Sequence, residues 1–383
     1  MRLPLFLASV AAILAGMHAY LWRRLVHDPR PPGPVRRAMT VALFALPILM
    51  MGSAVAVLTS PTPANRASST ILYVWLGEAF YLLLALGLVD AGRLSAWLVR
   101  RLARRRPTVD AQRRRFLARA VAGAAGVAAT TVSAWGVRSA FEDAELTETT
   151  VRIPGLLRRH SGLTLLQISD LHVGPTLDGR FVARLIERAR AIEADAIVLT
   201  GDLVDGSVEH LGDAMAPLRR LRAPLGVFAV TGNHEYYSGA DAWVRTLRAG
   251  GITVLRNQRV RLDGGLDLCG VDDWSAGRHG FGAGYDIDAA LRGRDGDVPA
   301  VLLAHQPRGV EGAVARGVAL QLSGHTHGGQ LWPFGALVAL SQPFIVGLHR
   351  VGPGHIFVSR GAGFWGPPMR VGAPPELARI VLV

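Results

Sequence analysis

Five short apolar runs between Leu163 and Leu322 each end in a turn that carries Asp, Asn or His, and this recurrence restricts what the chain can fold into. The runs are Leu163–Ile168, Asp195–Leu199, Gly226–Val230, Ala300–Leu303 and Val318–Leu322, each of strand length and bounded by turn residues. They lead into Ser169-Asp170-Leu171-His172, Thr200-Gly201-Asp202-Leu203-Val204-Asp205, Thr231-Gly232-Asn233-His234-Glu235, Ala304-His305-Gln306-Pro307 and Ser323-Gly324-His325-Thr326-His327-Gly328-Gly329-Gln330. Amphipathic stretches lie between. From Asp178 onward, Phe181, Leu185, Ile186, Ala189 and Ile192 share one helical face, opposite Arg184, Glu187, Arg188 and Arg190. A second helix is predicted around Leu211–Leu221, and a third is marked by Trp243, Val244 and Leu247 and stopped by Gly250-Gly251. Val260–Leu262 and Leu266–Leu268 read as a hairpin about Asp263-Gly264-Gly265.

This alternation predicts an α/β (α+β layered) fold. Side chains just past the carboxyl ends of strands gather at one sheet edge, where such folds bind ligands. His325 and His327, at i and i+2 on backbone expected to be extended, point the same way, so both rings are expected to reach one small site.

Asp170-x-His172, Gly201-Asp202-x-x-Asp205, Gly232-Asn233-His234-Glu235, His305 and Gly324-His325-x-His327 resemble, in order, all five blocks of the calcineurin-like metallophosphoesterase family. Gly324–Gln330, Gly361-Ala362-Gly363 and Pro374-Pro375-Glu376-Leu377 also resemble its membrane-associated bacterial phosphodiesterase subgroup. The resemblance implies two sheets packed as a sandwich and flanked by helices, holding two divalent metal ions. It would place Asp170, His172 and His327 on one ion and Asn233, His305 and His325 on the other, with Asp202 bridging. Mixed carboxylate, imidazole and amide donors suit Mn, Fe or Zn, whereas an all-oxygen Mg or Ca cage needs no histidines. Two such ions clamp phosphate oxygens and sustain hydroxide attack at neutral pH. His234 would then donate a proton to the leaving group, with Asp205 fixing its ring. The other reading of Asp205 is a cap for the next helix. Glu235 is expected to bond nearby backbone, and His160, His210, His279, His349 and His355 read as surface or loop residues.

The first third is different in kind. Leu3–Trp22, Met39–Leu58 and Ile71–Val89 have the length and apolarity of spanning helices, and Phe116–Gly136 is a weaker, Ala/Gly-rich fourth that contains Arg119. Glu78 interrupts the third run and is expected to face a neighbouring helix or an interface. Residues 1–140 hold 18 Arg against four acids and residues 141–383 hold 24 Arg against 25, giving charges of about +14 and −1. The nearly neutral second part lacks the basic field of a duplex nucleic-acid binder. We therefore divide the chain into a membrane region, 1–140, and a catalytic domain, 141–383.

Arg23, Arg24, Arg30, Arg36 and Arg37 fill the first inter-span segment, nine Arg lie from Arg93 to Arg115, and Thr59–Thr70 has only Arg66. The positive-inside rule puts both Arg-rich segments in the cytoplasm and the catalytic domain outside a multi-pass cell-membrane anchor. Gln112-Arg113-Arg114-Arg115-Phe116-Leu117 also resembles a twin-arginine signal, which makes the export machinery a partner. Val132-Ser133-Ala134 has the small residues of a cleavage site.

Together these features point to a membrane-anchored phosphoesterase acting on phosphomonoester, phosphodiester or pyrophosphate bonds. Proximity to the bilayer favours a lipid-linked or envelope substrate. Trp274, Trp332, Phe334, Phe364 and Trp365 lie in Gly-rich loops near the ligand blocks, where they can form a lipid-facing rim or pack inward. A protein phosphatase, or a sensor binding metal or phosphate without turnover, are the alternatives. The single cysteine, Cys269, excludes an intrachain disulfide and reads as a buried strand residue.

Overall fold

The computed structural model describes residues 2–59, 62–103, 110–263, 265–279 and 284–383. Arg104, Arg105 and Arg106 of the Arg-rich segment, residues 60–61 of the short loop and Gly264 of the hairpin turn lie outside them. The chain divides into a helical unit, Met1–Val137 grouped with Gly366–Pro368, and a sheet-containing unit made of Arg138–Trp365 and Met369–Val383.

In the helical unit α1 spans Arg2–Trp22, α2 Gly33–Thr59 and α3 Pro63–Leu102, and the last helix, α4 (Ala111–Ala140), ends beyond it. Segments Gly33–Val57, Ala64–Leu102 and Ala111–Ala140 are long and apolar enough to cross a membrane. Thr62 caps α3 through its side-chain oxygen, which accepts from Asn65 N at 3.2 Å, and Pro63 occupies the first turn, where no amide is needed. The structure corrects the expected loops. Residues 63–70 and Arg93–Leu102 are helical, because nothing in Arg93–Leu102 breaks the i→i−4 ladder. Arg24 pairs with Asp28 and Asp90 at 2.8 and 3.0 Å, and Arg119 donates to the carbonyls of Pro29 and Arg30. Glu78 accepts from the Thr130 hydroxyl at 3.0 Å.

The strands are β1 Glu145–Val151, β2 Leu163–Ile168, β3 Ala196–Leu199, β4 Val227–Ala229, β5 Thr253–Val254, β6 Gln258–Leu262, β7 Leu266–Gly270, β8 Ala300–Leu303, β9 Val318–Ser323, β10 Gly347–Val351, β11 Gly354–Val358 and β12 Glu376–Leu382. Among the described residues they form two six-stranded sheets, ordered β1-β12-β2-β3-β4-β5 and β10-β11-β9-β8-β7-β6. β2, β3, β4 and β5 are mutually parallel, as are β7, β8, β9 and β11, so the turns that follow each series share an edge.

The helices that follow are α5 Gly179–Arg190, α6 Val208–Met215, α7 Asn233–Tyr237, α8 Ala240–Ala249, α9 Ile287–Ala290, α10 Val310–Ala315 and α11 Gly335–Val338. Leu165, Val198 and Phe228 of one sheet pack on Leu268, Val301, Leu303, Leu320 and Phe357 of the other, which makes the sandwich. α5, α6 and α8 cover the outer face of the first sheet with Val182, Leu185, Ile186, Leu211, Trp243 and Leu247. Asp178 caps α5, accepting from the amides of Arg180 and Phe181.

Candidate metal centre

Each predicted site residue lies where a strand gives way to a turn. Asp170 and His172 follow β2, Asp202 and Asp205 follow β3, Asn233 and His234 open α7 after β4, His305 follows β8, and His325 and His327 follow β9. Asp170, His172, Asp202, His325 and His327 all have φ between 45° and 72°. This left-handed backbone is unfavourable for side-chain-bearing residues and persists where surroundings over-determine it. The two histidines of the last turn are therefore not on extended backbone. Their rings part, with His327 joining Asp170 and His172 while His325 joins Asp202 and His305. Glycines let the turns close up: a Cβ on Gly232 would sit 2.2 Å from Asp202 Oδ1, and one on Gly324 2.1 Å from Asp170 Oδ2.

Three groups of donor atoms result, each with its atoms within 4.8 Å of one another: Asp170, His172 and His327; Asp202, His305 and His325; and His172, Asp205 and His234. In the first, His172 Nε2 faces His327 Nε2 at 3.1 Å, and His327 Nε2 is 3.6 Å from Asp170 Oδ1. In the second, His305 Nε2 is 3.0 Å from Asp202 Oδ2 while its Nδ1 donates to the Thr200 carbonyl at 2.8 Å. That bond orients the ring and directs its Nε2 at Asp202. Asp202 Oδ2 is also 3.8 Å from His172 Nε2, which links the first two groups.

Asp205 does not cap the next helix, whose N-cap is Ser207. Its Oδ1 accepts instead from His234 Nδ1 at 2.5 Å and from His172 Nδ1 at 3.0 Å. Glu235 accepts from the amides of Asp202, Leu203 and Gly232 at 3.0, 2.7 and 2.6 Å.

Burial raises the Asp170 carboxyl, and the neighbouring Asp202 adds to that. Asp202 is equally buried, but His305, His234 and His172 hold it well below the carboxylate range. Burial would depress His172, yet Asp205 with Asp202 and Asp170 brings it up to about 9. His325 is pushed down to about 3 by burial and by His305, and burial with His172 and Arg370 keeps His327 neutral as well. Glu235 rises to about 6 through burial and the Asp202 charge.

One buried atom at this edge, Asn233 Oδ1, has no hydrogen-bond partner. Buried donors and acceptors are seldom left so, since each costs about 1–3 kcal/mol. A divalent cation answers it, and the carboxylate, imidazole and amide donors around it fit Mn, Fe or Zn.

Sequence reasoning missed Arg370. Its fully buried guanidinium donates to the carbonyls of Arg360, Gly361, Gly363 and Ala373 and faces His327 Nδ1 at 3.3 Å. An isolated Arg in Pro-Pro-Met-Arg carries no periodicity that would reveal this. His160 is also buried rather than exposed, with Nε2 3.1 Å from Asp263 Oδ2. Of the rim aromatics, Phe364 packs inside against Phe141 and Trp274 lies half-buried against Tyr285, whereas Trp332, Phe334 and Trp365 are exposed.

Residues 163–329 match the calcineurin-like phosphoesterase family model. The chain is 42% identical over 224 residues to an uncharacterized metallophosphoesterase of Helicobacter pylori, which covers 58% of this chain and 60% of that protein, under two thirds of its length. It is 33% identical to a transmembrane protein with metallophosphoesterase domain from Bos taurus, over 100% of this chain and 89% of the relative. Among solved structures it resembles a dimetal phosphatase from Danio rerio, with a TM-score of 0.38 and 15% identity over 52% of this chain and 88% of that one. The chain belongs to the calcineurin-like metallophosphoesterase family, a family of metal-dependent phosphoester hydrolases.

Proposed function

We propose that residues 141–383 are a dinuclear-metal phosphoesterase domain, anchored by the membrane region 1–140 and acting outside the cytoplasm. Asp170, His172 and His327 would hold one divalent ion and Asn233, His305 and His325 the other, with Asp202 shared between them. The observation that carries this is the gathering of Asp202, His305 and His325 donor atoms within 4.8 Å of one another, at the same sheet edge as the buried and unpartnered Asn233 Oδ1. When bound, the ions supply Lewis-acid polarisation of a phosphate and a nucleophile at neutral pH.

The chain supplies the rest. His234 is partly exposed, with Nε2 4.0 Å from Asp202 Oδ2, so it borders the same space. Burial would lower its pKa, but the Asp205 hydrogen bond and the Asp202 charge raise it. That keeps a proton on His234 near neutral pH, where it can pass to the leaving oxygen. Asp205 orients the ring and is itself held ionised by His172 and His234 against the effect of burial. A sensor that only binds phosphate has no use for an oriented acid, so this pair favours turnover.

Apolar helices capable of crossing a membrane favour a phosphoester at or in the envelope, including a lipid-linked one, and Arg113-Arg114 favour engagement of the twin-arginine machinery. The test is a hydrolysis screen of the full chain in detergent, loaded in turn with Mn, Fe, Zn and Mg. Chromogenic monoesters, diesters and lipid pyrophosphates would be offered, with metal content measured on the same samples. Two ions per chain together with turnover of at least one ester class is the expected result. Metal uptake with no turnover of any class would leave the sensor.

A further inference from the structure

The segment from Leu331 to Leu348 contains no ionisable residue, although much of it faces outward. Trp332 is 71% exposed and Leu340 83%, and Phe334, Leu337, Val346 and Leu348 are exposed with them. Trp365 joins this surface through Gln330, whose side chain donates to the Trp365 carbonyl at 2.8 Å and accepts from its amide at 3.0 Å. A run of exposed apolar side chains with no ionisable residue among them has the composition of a binding face.

The lobe is held by hydrogen bonds at both ends, one of them to the metal-centre turn. Trp332 N donates to the Val371 carbonyl at 2.9 Å at one end. At the other, the hydroxyl of Thr326, the residue between His325 and His327, donates to the Ile345 carbonyl. Its edge carries cations. Arg308 donates to the Ser341 carbonyl at 2.7 Å, and Arg350 is exposed two residues past Leu348.

The chain itself indicates what covers this face. α4 is long and apolar enough to cross a membrane, it ends at Ala140, and β1 starts at Glu145. The five residue steps from Ala140 to Glu145 reach at most about 18 Å. If α4 spans, the sheet-containing unit begins within that distance of a bilayer, and cations beside an apolar surface match lipid phosphates above acyl chains.

We propose that Trp332, Phe334, Leu337, Leu340 and Trp365 form a platform that inserts into the lipid–water interface, and that the substrate class is a phosphoester carried by a lipid. This rests on the membrane-anchored reading above. The platform sets the metal-centre turn at headgroup depth, so an ester embedded in the bilayer reaches the site without leaving it. Aromatic rings and leucines at that depth gain by burial while the arginines stay in the polar layer.

The test uses the full metal-loaded chain in nanodiscs of zwitterionic and anionic phospholipid. Nitroxide labels would be placed singly through Leu340→Cys, Ile48→Cys in α2 and Glu209→Cys in α6. Collision of each label with oxygen and with a water-soluble nickel chelate reports depth. Oxygen-dominated collisions at 340 and 48, with chelate-dominated collisions at 209, support the platform. A label at 340 that meets the chelate while 48 meets oxygen overturns it and leaves the anchor standing. Chelate access at both 340 and 48 removes the anchor and the platform together.

A second measurement needs no label. Leu337→Asp with Leu340→Asp should lower turnover of a phosphodiester embedded in vesicles by about tenfold or more, from lost burial of two leucines. Turnover of a soluble nitrophenyl ester should stay within about twofold, since neither residue touches the metal centre. Equal loss on both substrates, or on neither, would refute the platform.

Discussion

His172 and His327 face each other Nε2 to Nε2 at 3.1 Å. At that distance two bare lone pairs repel, so one hydrogen lies between them. Asp205 anchors the other side of His172, and Arg370 the other side of His327.

A cation bound by these nitrogens must displace that hydrogen. Loading should release about one proton at neutral pH, readable as buffer-dependent heat in calorimetry. Because Asp205 brings His172 up to about 9, apparent metal affinity should climb as pH rises toward that value and flatten above it. Asp205→Asn removes the charge that holds the proton and should flatten the profile below pH 9. An unchanged profile in that variant would assign the proton elsewhere.

Separate roles for Asp202 and His234 predict separable losses. Asp202→Asn removes the charge shared between the donor groups and should lose bound metal and activity together. His234→Asn leaves every donor group in place and should keep its metal, while the rate falls by roughly two to four orders of magnitude. A nitrophenyl leaving group needs little protonation and should suffer less. Wild-type turnover of an alkyl ester by His234→Asn, or loss of its metal, would sink the assignment.

Orientation can be read from reporters that are active only after export. Fusion after Val383 should be active and fusion within Arg93–Arg115 inactive. If Arg113 and Arg114 are an export signal, changing both to Lys should keep the catalytic domain inside while the preceding helices still insert. Normal export of that variant supports a plain fourth span.

Cys269 lies inside β7, where burial and Asp267 push its thiol up to about 12. Native protein at pH 8 should therefore resist alkylation, with labelling appearing only as the domain unfolds. Rapid labelling of the folded chain, followed by mass spectrometry, would contradict the packing around β7.

The centre was largely legible in the sequence because its parts are local. Each donor sits two to six residues beyond an apolar run, and parallel pairing brings those ends to one edge. What was hidden depends on tertiary placement. Arg370 has no motif, and its partners come from three separate backbone stretches. Asp205 was read as a partner of His234 alone, since spacing cannot show that His172 approaches the same oxygen. β1, β10, β11 and β12 escaped because they follow the last ligand block or precede the first, where no chemistry drew the eye to their alternation. In the membrane region, Arg-rich composition suggested loops where helix propensity continued instead.

β12 lies between β1 and β2, pairing parallel with the first and antiparallel with the second. The sheet that carries Asp170 and Asp202 therefore stays open in its middle until residue 382 has been made. At ordinary synthesis rates the ribosome needs roughly ten to forty seconds to go from β2 to β12. Through that interval β2 has a bare edge and the turns after β2 and β3 lack their final support, so a nascent chain cannot complete its metal centre however much of the donor set has emerged. Completion of the first sheet therefore waits on β12, and anything that meets the chain before that strand is made meets an open sheet.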